Sequence, residues 1–210
     1  MSATVLRKKT THKRAFGKFS SRYKAMVAKW KYHFHNVVLD ILRDADEIHF
    51  PIDFEPIDKY FSGFKVQYLE ASPNENAAIA DGQKEIEEGW HYVDIAKGII
   101  FILFDPQVSK QRQRFTKAHE WAHVLQSLDQ SFKADMELIP DAAERSAIIE
   151  SVANHTASFY LVPRVLLTHE MEKLASATVD KKISILASCF NVSRPMMTAC
   201  LMNPQPIKKQ

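Results

Sequence analysis

The sequence has few of the features that stabilise secreted or membrane proteins. It contains only two cysteines, Cys189 and Cys200, in 210 residues, which is a poor basis for a disulfide framework and indicates a reducing compartment. The main uninterrupted apolar run, residues 98–104, is far too short to span a bilayer. The basic N-terminus is not followed by the apolar segment of a secretory signal. We therefore expect a soluble, cytoplasmic protein with no membrane partner.

Acidic residues are missing from the first 35 positions, which contain ten Lys or Arg. Subtracting those ten positive charges from the net charge of +3 leaves −7 for residues 36–210. A basic segment on a mildly acidic body can bind an acidic protein partner or nucleic acid, and a solvated, partly disordered tail has the same composition. We expect residues 1–20 to form a basic, mobile arm.

The order of the predicted elements indicates an α+β fold. Apolar residues at helical spacing predict an N-terminal helix from residue 21 to about residue 45, and a short helix follows at 54–61. Residues 64–104 predict three or four strands in a small antiparallel sheet, one of them at 77–80. Beyond Pro106 the pattern is helical throughout, with helices expected at 107–127, 142–161, 164–176, 180–189 and 194–202.

Two histidines lie four residues apart in the segment His119-Glu120-Trp121-Ala122-His123. On a helix this spacing places both imidazoles on one face about one turn apart, so both can bind a single zinc ion. Glu120 points about 100° away from His119, where it can take a proton from zinc-bound water without binding the metal. The alternative is a pair of surface histidines with an incidental glutamate. Apolar residues at helical spacing in the same segment argue against it, because they predict a packed helix.

A catalytic zinc site needs a third protein ligand and leaves its fourth position open for water. The predicted helix at 142–161 is apolar on nearly every side, but Glu150 and Asn154 lie one turn apart in a narrow polar stripe. A glutamate in such a helix needs a strong partner, and we interpret Glu150 as the third ligand. Asn154 is expected to accept the spare ring N–H of a zinc-bound histidine and so to fix its orientation.

Other assignments stay open from the residues alone. Glu150 could instead pair with Arg145 or Arg114. Manganese or another divalent ion could occupy the same ligands in place of zinc, with one ion per chain in either case. Three further residues are candidates for the third ligand, each with a weaker supporting pattern: His155, His169 and Cys189.

Residues 114–123, RFTKAHEWAH, are followed by Glu150-Ser151-Val152-Ala153-Asn154 and by Leu161-Val162-Pro163. These two blocks, in this order, resemble the hallmark segments of the ImmA/IrrE family of metallopeptidases. The glutamate with Asn four residues later also resembles the ligand helix of thermolysin-type zinc peptidases. Residues 50–60 resemble the family's lead-in to its sheet. Residues 183–201 resemble its closing helix-turn-helix-like segment.

The resemblance implies the ligand set His119, His123 and Glu150, with Glu120 as the catalytic base. It also implies a zincin-like metallopeptidase domain at residues 21–163, with a C-terminal helical segment, residues 164–210, packed on it. The family includes peptidases that cleave helix-turn-helix repressors. We therefore expect a zinc-dependent endopeptidase that regulates transcription as an anti-repressor.

Two hypotheses from other classes remain. In the first, the helix-turn-helix-like segment and the basic arm bind DNA directly, although the predicted recognition helix offers only Arg194 as a base-reading cation. In the second, zinc is a structural or sensing ion without turnover, and Glu120 would have little purpose in such a site. For a peptidase, the oxyanion needs a further donor. The sequence offers three candidates for it without choosing among them: Tyr160, His155 and Arg114.

Overall fold

The computed structural model describes residues 20–45, 50–70 and 89–202. The predicted mobile arm, apart from Ser20, and the predicted strand at 77–80 lie outside these residues. Within them the fold is α+β, as the sequence predicts, with an N-terminal helical part, a three-stranded sheet and then a series of helices. No helix in this part of the chain is both long enough and apolar enough to cross a bilayer.

The N-terminal part contains two helices. Helix α1, Lys24–Arg43, follows a turn of 3-10 helix at Ser21–Tyr23. Helix α2, Glu55–Tyr60, has proline in its first turn, where the missing N–H has no intrahelical partner to lose. Both agree with the predicted ranges apart from their terminal residues. The apolar positions that predicted α1 form its buried face: Val27, Trp30, Phe34, Val38, Ile41 and Leu42.

The sheet consists of β1 (Lys65–Glu70), β2 (Gly89–Asp94) and β3 (Ile99–Phe104), in the order β1-β3-β2. Strands β2 and β3 form an antiparallel hairpin, whereas β1 runs parallel to β3. The prediction of an antiparallel sheet is therefore wrong for β1. The sequence places residues 71–88 between β1 and β2. Because a connection of that length imposes no tight turn, β1 is not obliged to pair antiparallel with the strand that follows it.

The hairpin between β2 and β3 turns through residues 95–98. Gly98 has a φ angle of +62°, a left-handed conformation that a residue with a Cβ rarely adopts. Its N–H donates to the carbonyl of Ile95 at 3.3 Å, and the N–H of Lys97 donates to the Asp94 carboxylate at 3.0 Å. This turn sets the register of the hairpin, in which His91 of β2 lies opposite Ile102 of β3.

The helices that follow the sheet match the predicted ones closely, and 142–161 has the same limits in the structure. One helix, α4, was not predicted. It begins directly after α3 because Asp129 accepts the N–H of Phe132 at 2.8 Å and caps a new helix. The helices are α3 (Lys110–Leu128), α4 (Gln130–Glu137), α5 (Ala142–Leu161), α6 (Arg164–Lys173), α7 (Val179–Cys189) and α8 (Arg194–Met202).

The core lies where α3 and α5 pack against each other, with the sheet on one side and α1 on another. Helices α1 and α5 run in the same direction. Arg22, just before α1, pairs with Glu144 near the start of α5 at 3.0 Å, and His35 stacks on Phe159 further along both helices, with ring centroids 3.7 Å apart. Because α5 and the strands β2 and β3 all pack against α3, the His-Glu motif on α3 lies in the interior.

Candidate metal centre

The two histidines of the motif lie on a completely buried stretch of α3. Every residue from 118 to 126 is buried, with His119 0% and His123 2% exposed. As the spacing predicts, both rings project from one face, and their Nε2 atoms are 2.9 Å apart. The two imidazoles therefore converge on one point.

Glu150 approaches the same point from α5. One of its carboxylate oxygens lies 3.3 Å from the Nε2 of His119 and the other lies 3.3 Å from the Nε2 of His123. In a tetrahedral zinc site with bonds of about 2.0–2.1 Å, ligand atoms are roughly 3.3 Å apart. The donor atoms of these three residues lie within 4.8 Å of one another, so the group could hold a metal ion. The Glu150 side chain is 21% exposed, so solvent reaches part of this carboxylate.

The carboxylate of Glu150 is ionised in this environment. Burial by itself would raise the pKa of the carboxyl group, but hydrogen bonds from His119 and His123 outweigh burial and lower that pKa to about 2. A metal ligand must be deprotonated. Glu150 meets that requirement at any physiological pH.

Gln126 orients the ring of His123, a contact that the sequence analysis missed. The Nδ1 of His123 lies 2.9 Å from the Gln126 side-chain oxygen, and the Gln126 amide donates to the carbonyl of Ile149 on α5 at 3.0 Å. Because the amide oxygen only accepts, Nδ1 keeps its proton, so Nε2 is the ring nitrogen that a metal ion would bind, and it faces the candidate metal position. The sequence feature that could have predicted this contact is a polar residue three positions after His123 on a helix expected to be buried.

Asn154, which we expected to accept a ring N–H, is exposed on α5. The Nδ1–H of His123 donates to the side-chain oxygen of Gln126 and not to Asn154. The role assigned to Asn154 stays a prediction.

Glu120 is fully buried beside the histidine pair. Its Oε2 lies 2.8 Å from the Nδ1 of His91, which is itself 2% exposed and comes from β2. The His91 ring is nearly parallel to that of His123, with centroids 5.6 Å apart and planes at 13°. The sequence analysis did not select His91. The sequence feature that could have identified it is the alternation along β2, in which positions 89, 91 and 93 are buried and a histidine occupies one of them.

Glycine at position 89 permits this close contact between β2 and α3. A Cβ at that position would lie 2.2 Å from the Thr116 methyl group and 3.0 Å from Glu120 Oε1, distances that a folded protein does not tolerate without a shift. The absence of a side chain lets the strand lie directly against the helix. It thereby brings His91, two residues on, to the Glu120 carboxylate.

Two of the three predicted oxyanion donors bond to backbone carbonyls. The Tyr160 hydroxyl donates to the carbonyl of Asp53 at 2.7 Å, and the Arg114 guanidinium donates to the carbonyl of Ile52 at 2.6 Å. His155 lies partly buried on α5. Burial and the nearby positive charges of Lys31 and His35 lower its pKa to about 3.

The rival assignments for the ligand set lack support in the described residues. Arg145 donates to the carbonyl of Ile139 at 3.1 Å and Arg114 to that of Ile52, so neither guanidinium is paired with Glu150. His169 is a surface residue that pairs with Glu170. The group of converging donor atoms in this part of the chain includes neither His155, His169 nor Cys189.

The predicted helix-turn-helix-like segment forms as two packed helices, α7 and α8. Asn191, in the turn between them, has a left-handed φ angle of 49°, which asparagine adopts more readily than most residues. Arg194, at the start of α8, bonds to the Asp180 carboxylate and to the Ser184 hydroxyl, both on α7. The one cation expected to read bases is therefore engaged within the segment.

No family model matches this sequence, and neither does any curated protein. Among solved structures, the fold is similar to that of a Mycobacterium tuberculosis transcriptional regulator, with a TM-score of 0.51 and 14% sequence identity. The match covers 89% of this chain and 51% of that one, so the chain spans about half the length of the regulator. At this identity the likeness is one of fold.

Proposed function

We propose that this protein is a zinc-dependent endopeptidase of the ImmA/IrrE type, acting on a regulatory protein. The observation that carries the proposal is the convergence of two imidazole nitrogens and one carboxylate on a single point, 2.9 to 3.3 Å apart. Glu120, next to His119 in the motif, is fully buried. Two histidines, one carboxylate and an open position form a ligand set found in catalytic zinc sites.

Zinc is the ion that this donor set favours. Imidazole suits zinc well, and three protein ligands with one open position are typical of a catalytic site, whereas magnesium and calcium prefer oxygen ligands. Manganese could occupy the same three donors. When bound, the ion supplies Lewis acidity, which polarises the scissile carbonyl and makes a water molecule acidic enough to lose a proton near neutral pH.

The residues of the chain divide the remaining work. Glu120 takes the proton from the attacking water, whose oxygen forms a bond to the carbonyl carbon of the substrate. The carbon–nitrogen bond then breaks, and Glu120 passes the proton to the leaving amine, which regenerates its carboxylate. Gln126 keeps the His123 ring in the tautomer that leaves Nε2 available.

The proposed substrate is a helix-turn-helix repressor in the cytoplasm, and cleavage would relieve repression. This substrate class comes from the family that the sequence resembles. The basic arm, residues 1–20, would bind an acidic surface of that protein. Ser20 is the one residue of the arm that the structure describes. Its N–H donates to Glu144 at 2.9 Å, so the arm joins the domain next to the start of α5.

The alternative function is direct regulation of DNA. It is favoured by the packing of α7 on α8 as a helix pair and by the similarity of the fold to a protein described as a transcriptional regulator. The engagement of Arg194 by Asp180 argues against it, because a base-reading residue needs a free guanidinium. A salt-sensitive shift of duplex DNA by the metal-free protein would support this alternative.

The decisive experiment is Glu120→Gln in the zinc-loaded protein. A lysate of the source organism is incubated with each variant, and new N-termini are identified by mass spectrometry, so the substrate need not be known beforehand. We expect wild type to generate cleavages that Glu120→Gln does not, while that variant retains about one equivalent of zinc. Glu172→Gln, which changes an exposed residue of α6, is the matched control. If Glu120→Gln cleaves as well as wild type, the proposed base is wrong.

A further inference from the structure

We propose that His91 is a positioning residue of this site: it donates its Nδ1–H to Glu120 and holds that carboxylate toward the metal centre. The inference rests on the proposed function, because it gives His91 a purpose only if Glu120 transfers a proton. If it is correct, strand β2 contributes a residue to the site in addition to those from α3 and α5.

The contact itself is short and enclosed. The Nδ1 of His91 and the Oε2 of Glu120 are 2.8 Å apart, and both side chains are almost completely buried. An ionised carboxylate only accepts hydrogen bonds, so the imidazole nitrogen is the donor. Hydrogen bonds to a charged acceptor are stronger than neutral ones, and they are stronger still away from water. This bond therefore restrains the orientation of the carboxylate.

The strand that carries His91 is well placed to act as a rigid support. Strand β2 pairs with β3 along its whole length, and Gly89 allows its backbone to approach α3 closely. The same ring lies parallel to that of His123, so His91 contacts the proposed base and one proposed ligand together. Side chains held by regular elements keep a reactive geometry more accurately than side chains on loops.

Fixing the carboxylate matters because proton transfer requires a short and well-aligned approach. A buried glutamate can rotate about its side-chain torsions, and a hydrogen bond to one of its oxygens removes most of that freedom. The purely structural explanation is that Glu120 merely satisfies a buried histidine. The two explanations differ in what they predict for turnover once folding and zinc binding are accounted for.

The first measurement does not depend on activity. In protein labelled with ¹⁵N-histidine, the hydrogen bond should give a downfield imidazole N–H proton signal. We expect this signal in wild type, metal-free and zinc-loaded, and its loss in His91→Ala. It should move upfield in Glu120→Gln, whose neutral amide is a weaker acceptor. Absence of the signal from wild type would overturn the inference.

The second measurement separates positioning from structure. His91→Ala should keep about one equivalent of zinc while kcat falls roughly 10- to 100-fold with KM little changed, measured on a quenched fluorescent peptide spanning a cleavage site mapped in the lysate. His91→Asn, whose side-chain amide can replace Nδ1 as donor, should recover much of kcat. If His91→Ala folds poorly, His91→Asn can be compared with wild type in its place. His169→Ala, at an exposed position, should behave as wild type.

The outcomes distinguish this inference from the proposed function. If zinc-loaded wild type generates no cleavages in the lysate, the proposed function fails, whatever His91 does. If Glu120→Gln cleaves as well as wild type, Glu120 is not the base and His91 has no base to position. If Glu120→Gln is inactive and His91→Ala turns over like wild type, only the positioning role fails. Loss of zinc from His91→Ala would also overturn it, because His91 would then act on the metal ligands and not on Glu120.

Discussion

Two pairs of packed helices in this protein differ in where their polar side chains lie: between the helices in one pair and on the surface in the other. In the α3–α5 pair, His119, His123 and Glu150 point into the interface between the helices, and their donor atoms converge. In the α7–α8 pair, the charged groups lie on the surface, with the Asp180 side chain 81% and the Arg194 side chain 51% exposed. They bond to each other across the outside of the pair.

The difference shows what each arrangement requires. Burying polar groups is costly unless they have strong partners, so a cluster of converging imidazole and carboxylate groups inside a helix pair needs a partner such as a metal ion. Exposed charges are hydrated and need none, and an ion pair between them adds little stability. The chemistry of this protein is therefore to be sought between α3 and α5.

The strongest test of this contrast is His123→Ala. Removing one of three converging donors should reduce zinc affinity by more than the roughly 10- to 100-fold that follows loss of a residue merely hydrogen-bonded to a ligand. Calorimetric titration with zinc and metal analysis after dialysis measure the effect. Full zinc occupancy in His123→Ala would show that the α3–α5 pair does not bind metal through these groups. His169→Ala should bind zinc as wild type does.

A smaller effect is expected for Gln126→Leu, which probes the interior polar network without removing a ligand. Leucine cannot accept the Nδ1–H of His123, and it cannot donate to the carbonyl of Ile149. We expect zinc affinity to fall about 10- to 100-fold. Gln126→Glu keeps an acceptor for the histidine and should bind zinc more tightly than Gln126→Leu. Equal affinities for Gln126→Leu and wild type would mean that the ring needs no such support.

Much of this arrangement could be predicted because it follows from local rules. Four-residue spacing on a helix brings His119 and His123 together whatever surrounds them, and the polar stripe on α5 identified Glu150 because nearly every other side of that helix is apolar. The limits of α5 were predicted correctly because Asp141 caps its first turn, accepting the N–H of Glu144 at 2.8 Å, and Pro163 follows its end.

The features that sequence reasoning missed depend on contacts between distant segments. The parallel pairing of β1 with β3 is set by tertiary packing, which no local pattern encodes. His91 reaches Glu120 only because β2 lies against α3 at Gly89. In the sequence, His91 is simply one of the alternate positions of β2 that face inward, and nothing distinguishes it from the others. Helix α4 escaped prediction because it is separated from α3 only by its own cap, Asp129.

The smallest effect is expected for Arg194→Ala, which tests the other side of the comparison. This substitution removes the bonds from α8 to Asp180 and Ser184. Because the pair is largely exposed, the free energy of unfolding measured in urea should fall by no more than about 1 kcal/mol. Zinc content and the cleavages mapped in the lysate should be those of wild type. If wild type instead shifts duplex DNA at low salt and Arg194→Ala does not, the guanidinium is exchanging Asp180 for phosphate or base. The functional surface would then be the α7–α8 pair, since a residue that contributes so little to stability would be needed for binding.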